Sequence, residues 1–130
     1  MPVLDASSAI ELVIERGAHD QVRAALGDRP ADAPEIIHLE TIQTLRGLVR
    51  GGEVRSMRAP DVLSRLGGLN LRSHKHSPLR SRIWELRDRC SAYDAAYVAL
   101  AERLGTALVT ADRRLARAVR GLVPVVLVAR

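Results

Sequence analysis

With 130 residues, 47% apolar and 27% charged, the chain has the composition of one soluble globular domain (1–130) and is too short for two cores. Its net charge of +5 comes almost wholly from arginine, which suits phosphate contacts and equally the bias of a GC-rich genome. A lone cysteine, Cys90, excludes a disulfide framework, and the absence of a membrane-length apolar run or a signal-peptide pattern predicts a soluble, cytoplasmic protein with no membrane association.

In chain order, Pro2-Val3-Leu4 is a short apolar run ending at Asp5. Ser7 then opens a helical pattern through Ile10, Leu12, Val13 and Ile14, which Gly17 interrupts and Val22, Ala25 and Leu26 resume. Residues 27–34 have the composition of a turn-rich loop. The spacing predicts a helix over 35–50, stopped by Gly51-Gly52, and another from Pro60 to Gly67-Gly68. Leu69-Asn70-Leu71 alternates as a short strand would, and His74-Lys75-His76 follows in a basic loop before Pro78 starts a helix through Ile83, Trp84 and Leu86. Ser91 caps a helix running to about Leu104. Residues 107–109 form a buried strand, 112–120 a helix and 123–128 a last strand whose Pro124 suits a sheet edge. Strands interleaved with helices predict an α/β fold around a mainly parallel sheet. Trp84, Tyr93 and Tyr97 are the only aromatics, so the core must be aliphatic, and a surface that stacks RNA bases on aromatic platforms is disfavoured.

Four acids stand out. Asp5 directly follows the first strand, Asp94 lies three residues after Ser91, and Asp112 follows a buried strand at a helix start. Each suits a helix N-cap or first turn. Yet Tyr97, Val98 and Ala101 continue the face that Asp94 tops, so this carboxylate should be partly buried, and no Arg or Lys stands one turn away to pair with it. Glu40 sits within a helix at the border of its apolar face, also without a basic neighbour. Carboxyl ends of parallel strands share one edge, where ligands bind. Acids converging there repel one another and call for a hard divalent cation such as Mg²⁺ or Mn²⁺.

The segments Leu4-Asp5-Ala6-Ser7, His38-Leu39-Glu40, Tyr93-Asp94-Ala95-Ala96-Tyr97 and Thr110-Ala111-Asp112-Arg113-Arg114-Leu115 together resemble the PIN-domain family, and most closely its VapC-type toxins. The resemblance spans essentially the whole chain. It implies a three-layer α/β/α PIN-like domain and a divalent-metal-dependent endoribonuclease. The family acids fall on Asp5, Glu40, Asp94 and Asp112. Asp5, Asp94 and Asp112 would bind one or two Mg²⁺ or Mn²⁺ ions, and Glu40 would act through water. Ser7 and Thr110 match supporting hydroxyl positions, while Gln43 stands where many relatives carry Asn. The implied partners are an RNA substrate (transfer, ribosomal or messenger), a small antitoxin forming a hetero-oligomer with the toxin, and a second copy in a homodimer.

Arg113, Arg114, Arg117 and Arg120 line the solvent side of the helix that begins beside Asp112, and the first three are candidate RNA contacts. The His74-x-His76 pair lacks the further ligands of a metal site. Cys90 is expected as a packed residue rather than a nucleophile. Other readings are a noncatalytic RNA- or protein-binding α/β module with the acids as caps, and a haloacid-dehalogenase-type phosphatase, although Ser7 replaces the second Asp of that motif. A response-regulator receiver fits poorly, because Lys75 lies away from any strand end.

Overall fold

A computed structural model describes residues 1–14 and 17–129. Five parallel strands, β1 (Val3–Leu4), β2 (Ala31–Pro34), β3 (Leu71–His74), β4 (Leu108–Thr110) and β5 (Val125–Leu127), stand in the order β3-β2-β1-β4-β5. The connecting helices are α1 (Ala6–Ile14), α2 (His19–Leu26), α3 (Ile37–Arg50), α4 (Ala59–Gly67), α5 (Arg80–Glu85), α6 (Ala92–Leu104) and α7 (Arg113–Ala118). Helices α1, α3 and α4 pack on one another, while α5 packs on α6, which crosses β2, β1 and β4, giving the three layers expected. Among the described residues no helix is long and apolar enough to cross a membrane.

The core is aliphatic, as the composition requires. Val3, Leu4, Leu108 and Val109 on the central strands are fully buried, and every residue of α6 from Ala95 to Ala101 is buried. Continuous burial suits an Ala-rich helix, whose small side chains let it lie close to the sheet. Ser91 caps it by accepting from Asp94 N at 3.1 Å, and Gly105 ends it at φ +63°, a left-handed conformation that Cβ disfavours.

The sheet departs from the sequence expectation in two places. Residues 27–34 are not simply a loop, since 31–34 form β2, buried between β1 and β3. Pro30 and Pro34 bracket it and a charge sits within it, a composition that reads as a turn. The charge is matched from the next strand. Asp32 accepts from Arg72 Nε (2.9 Å) and Nη2 (3.0 Å), and His74 Nε2 lies 2.8 Å from it. Burial pushes the Asp32 carboxyl up, but these partners outweigh it and hold it below its ordinary value. Strand β3 accordingly begins at Leu71, later than expected, and His74 belongs to it rather than to a loop; His76 Nε2 accepts from Ile36 N at 3.0 Å. Strand β5 is an edge as expected, with the Pro124 carbonyl accepting from Leu108 N at 2.9 Å.

The order of strands fixes where a ligand should sit. After β1 the chain builds β2 and β3 on one side, then returns to place β4 and β5 on the other. The topological switch point therefore lies between the carboxyl ends of β1 and β4. Asp5 follows β1 and Asp112 follows β4.

Candidate active site

A cleft of about 690 Å³ opens at this switch point, and Asp5, Glu40, Asp94 and Asp112 all line it. The structure thus brings together the four acids singled out from the sequence. Glu40 arrives by the unforeseen strand, on the first turn of α3 just after β2.

Asp5 is the most fixed of the four, at 4% exposure. Its Oδ1 accepts from Ser8 N (2.9 Å) in N-cap geometry and from the Ser7 hydroxyl (2.8 Å). The Ser8 hydroxyl lies 2.9 Å from Oδ1 and 2.8 Å from the Val109 carbonyl, sharing one proton between them. Thr110 donates its hydroxyl to Oδ2 at 2.5 Å. Ser7 and Thr110 are oriented in turn, accepting from Ala111 N (2.9 Å) and Asp112 N (3.0 Å). The loop after β4 therefore aims the carboxylate at the end of β1. Even so, burial outweighs these donors and raises the Asp5 pKa above its ordinary 3.8. Ionised Asp5 is under-compensated as the protein stands.

Glu40 is partly buried, and its pKa also lies above the ordinary value. Burial is the first cause, opposed by the Tyr97 hydroxyl and reinforced by the charges of Asp94 and Asp5. Tyr97 is buried at 1% exposure and lines the same cleft. By strict geometry its hydroxyl has no hydrogen-bond partner, yet it stands close enough to Glu40 for each to shift the other's titration. Burial, followed by Glu40, drives the Tyr97 pKa far above its ordinary value, so the phenol stays protonated as a donor.

Asp94 and Asp112 are handled differently. Asp112 caps α7, its Oδ1 accepting from Arg114 N (2.9 Å) and Leu115 N (3.1 Å). Asp94, 16% exposed, does have a cationic partner, contrary to expectation. Arg114 Nη2 lies 3.1 Å from Asp94 Oδ2 and 3.5 Å from Asp112 Oδ2. The partner comes from α7, twenty residues along the chain, where a search one helical turn away could not find it. Arg113 also lines the cleft, whereas Arg117 and Arg120 lie with it around a separate shallow depression. Leu115 and Val119 face inward as predicted.

Four carboxylates and a neutral phenol are hard oxygen donors of the kind Mg²⁺ and Mn²⁺ prefer, and two arginines balance only part of their charge. The donor set therefore fits a divalent ion. Among the described residues, no three acidic, His or Cys side chains already stand as a closed metal-holding group. Arg114 and the helix cap engage Asp94 and Asp112 in other bonds.

Two contributors escaped the sequence reading, the Ser8 hydroxyl and the Tyr97 phenol. The paired serines after Asp5 and the i, i+3 spacing of Asp94 and Tyr97 were the signals available.

A model of the PIN domain matches residues 3–121. The chain belongs to the PIN-domain family. This PIN domain is 35% identical, over 130 residues covering all of both chains, to Ribonuclease VapC9 of Mycobacterium tuberculosis. It is 36% identical over 118 residues, 89% of each chain, to Ribonuclease VapC1 of the same organism. Among solved structures it is similar to PAE2754 from Pyrobaculum aerophilum (TM-score 0.69, 23% identity, covering 95% of this chain and 81% of that one). A second likeness is to VapBC2 from Rickettsia felis bound to a DNA fragment from their promoter (TM-score 0.62, 12% identity, covering 97% of each). These two structural likenesses concern the fold of the PIN domain.

Proposed function

We infer that this protein is an RNA-cleaving hydrolase of the VapC type, the toxin of a toxin–antitoxin pair acting in the cytoplasm, and that its cleft works with Mg²⁺ or Mn²⁺. The observation that carries the reading is the convergence of four acids at the β1/β4 switch point, one of them aimed by the Ser7 hydroxyl beside it and the Thr110 hydroxyl from the end of β4. Asp5, Asp94 and Asp112 would hold the metal through oxygen, and Glu40 would reach it directly or through water. A bound divalent ion lowers the pKa of water and stabilises charge on the scissile phosphate.

The chain's own residues do the rest. Ser7, Ser8 and Thr110 fix the direction of Asp5, so the ligand oxygen loses little freedom when it is used. Glu40, at the cleft and with its pKa raised by burial, would take a proton from the attacking water. Tyr97, its phenol kept protonated by burial, stands beside Glu40 on the buried side. Arg113 and Arg114 at the cleft and Arg117 beyond it would contact flanking phosphates, so binding should weaken as salt rises. A small antitoxin and a second copy are the protein partners this reading brings with it.

A noncatalytic module has one observation in its favour, since Asp5 and Asp112 do cap α1 and α7. Capping accounts neither for the burial of Asp5 nor for Glu40, which caps nothing. The deciding experiment is cleavage of a cellular RNA pool by purified protein in Mg²⁺ or Mn²⁺, beside EDTA, Asp5→Asn and Asp94→Asn. Loss of cleavage in all three controls is expected. Undiminished cleavage by Asp5→Asn would remove it from the site, and no cleavage by the parent protein on any RNA class would favour the module.

A further inference from the structure

Trp84 is the one tryptophan of a chain with three aromatics, and the fold leaves it 67% exposed on α5. A single exposed apolar residue means little. Trp84, however, is built into its surroundings. The Arg87 guanidinium carbon lies 4.5 Å from the ring centroid, and Arg87 Nη1 donates to the Trp84 carbonyl at 3.0 Å. One indole face is thereby covered by a tethered cation, a cation–π arrangement that orients the ring.

The ring and this arginine border a depression of about 800 Å³ together with Arg80 and the hydroxyl residues Ser77, Ser81 and Ser91. No carboxylate lines it among the described residues. Glu85, the acid next to Trp84 on α5, is drawn toward Arg82 at 3.4 Å. The depression and the acidic cleft lie on either side of the first turn of α6 and share no lining residue: Ala92 lines the one, and Asp94, two residues on and so turned about 200° around the helix, lines the other. Ser91, on the rim, bonds to Asp94 N.

We propose that Trp84, with Arg87 and Arg80, is a base-stacking subsite that holds an unpaired nucleotide of single-stranded RNA beside the acidic cleft. The proposal rests on the RNA-cleaving reading above. An unpaired nucleotide offers a π-face for the indole and a phosphate for the arginines, and the surface offers both partners without an opposing acid. A second copy of the chain fits less well, because an isologous pairing through this depression would bring no carboxylate from its lining to meet Arg80 and Arg87. On this proposal the expectation from composition, that aromatics are too few for stacking, would not hold at this spot. One platform needs only one ring, and the aliphatic core leaves this one free.

Because Trp84 is the sole tryptophan, the emission of the protein reports on it directly. The test is titration of a 12-nucleotide single-stranded RNA into the Asp5→Asn protein, compared with Trp84→Ala and Trp84→Phe in that background and with an abasic strand of equal length. The expected result is saturable quenching by the RNA in the tryptophan-containing protein and, by anisotropy of an end-labelled strand because the variants lack tryptophan, binding about tenfold weaker in Trp84→Ala and partly restored in Trp84→Phe. Circular dichroism should show an unchanged melt for both, since the residue is exposed. Equal quenching by the abasic strand, unmoved emission, or undiminished binding by Trp84→Ala would each overturn the subsite. Emission that changes on diluting the protein alone would instead assign the face to self-association and also overturn it. If the parent protein cleaves RNA while emission stays unmoved, the subsite fails and the nuclease stands. If Trp84-dependent quenching occurs without cleavage in any metal, the subsite stands and the nuclease fails.

Discussion

Tyr97→Phe removes one oxygen from the best-buried corner of the cleft, and the structure gives the sign of two separate effects. The hydroxyl is buried and lacks a partner at hydrogen-bond geometry. An unsatisfied buried hydroxyl costs about 1–3 kcal/mol, and its coupling to Glu40 recovers part, leaving about 1 kcal/mol to be gained by its removal. For a chain of this length that corresponds to a rise in Tm of roughly 3–5 °C. The gain should be largest in acid, where Glu40 is protonated, and smaller at neutral pH, where ionised Glu40 loses a donor. The second effect falls on activity. Tyr97 is the influence that lowers the Glu40 pKa, so without it that pKa moves further above its ordinary 4.5. The acid limb of the pH–rate profile should shift to higher pH. Calorimetric melts in EDTA at both pH values and cleavage rates across pH check the two effects. A lower Tm at both pH values would show that the hydroxyl has a partner after all. An unmoved acid limb would sever Tyr97 from Glu40.

Three further outcomes are expected. Asp5→Asn should keep the acceptor oxygen used by Ser7 and Ser8 and so keep the fold. Because burial holds the parent pKa above 3.8, ionising Asp5 costs stability once pH exceeds that value; melts in EDTA should find the variant more stable than the parent at neutral pH and not in strong acid, and the reverse order would refute the under-compensated charge. Arg114→Gln frees Asp94 and Asp112 from an exposed ion pair worth about 0.2–1 kcal/mol, so Mn²⁺ affinity by calorimetric titration should rise up to about fivefold; weaker binding would contradict competition between the guanidinium and the metal. Asp32 is the opposite case to Asp5, its pKa being held below 3.8, so its contribution is present above that pH and fades as pH falls through the folded value; Asp32→Asn should lower the urea midpoint at neutral pH and cease to differ in acid.

What the sequence disclosed followed from local physics. Ser91 before an Ala-rich run, Gly51-Gly52 after a periodic one and Pro124 at the last strand each act within a few residues, and each landed where expected. Asp5, Asp94 and Asp112 could be singled out for the same reason, because helix starts are local features, whereas Glu40 stood out by its place at the border of a helix face and by the family resemblance. Strand β2 was hidden because its stability is not local. Asp32 inside a proline-bracketed tetrapeptide argues against a strand until Arg72 and His74, forty residues on, supply its counter-charge. Arg114 lies on the solvent side of α7 as expected, but its pairing with Asp94 was hidden for the same reason, because a long side chain reaches back over the helix start to a residue twenty positions away. Trp84 and Tyr97 could not be sorted from spacing alone, since both sit at helical positions among aliphatic residues, yet one is buried and the other is not.

The two raised carboxyl groups and the placement of Arg114 have a common cause. Four acids gathered at one sheet edge repel, and a fold that held all of them rigidly around an empty point would carry that repulsion whenever no cation was bound. The chain divides the problem. Asp5 is buried and Glu40 partly buried, and burial raises the pKa of both above the ordinary carboxyl value. Asp94 and Asp112 share the guanidinium of Arg114. Only the second pair is held by a group that can leave without disturbing the core, because Arg114 is itself 66% exposed. The absence of a closed metal-holding group and the convergence of four acids are therefore compatible. On the proposed reading Asp5 and Glu40 would fix where a cation goes, and Asp94 and Asp112 would be kept occupied by an arginine weak enough to be exchanged.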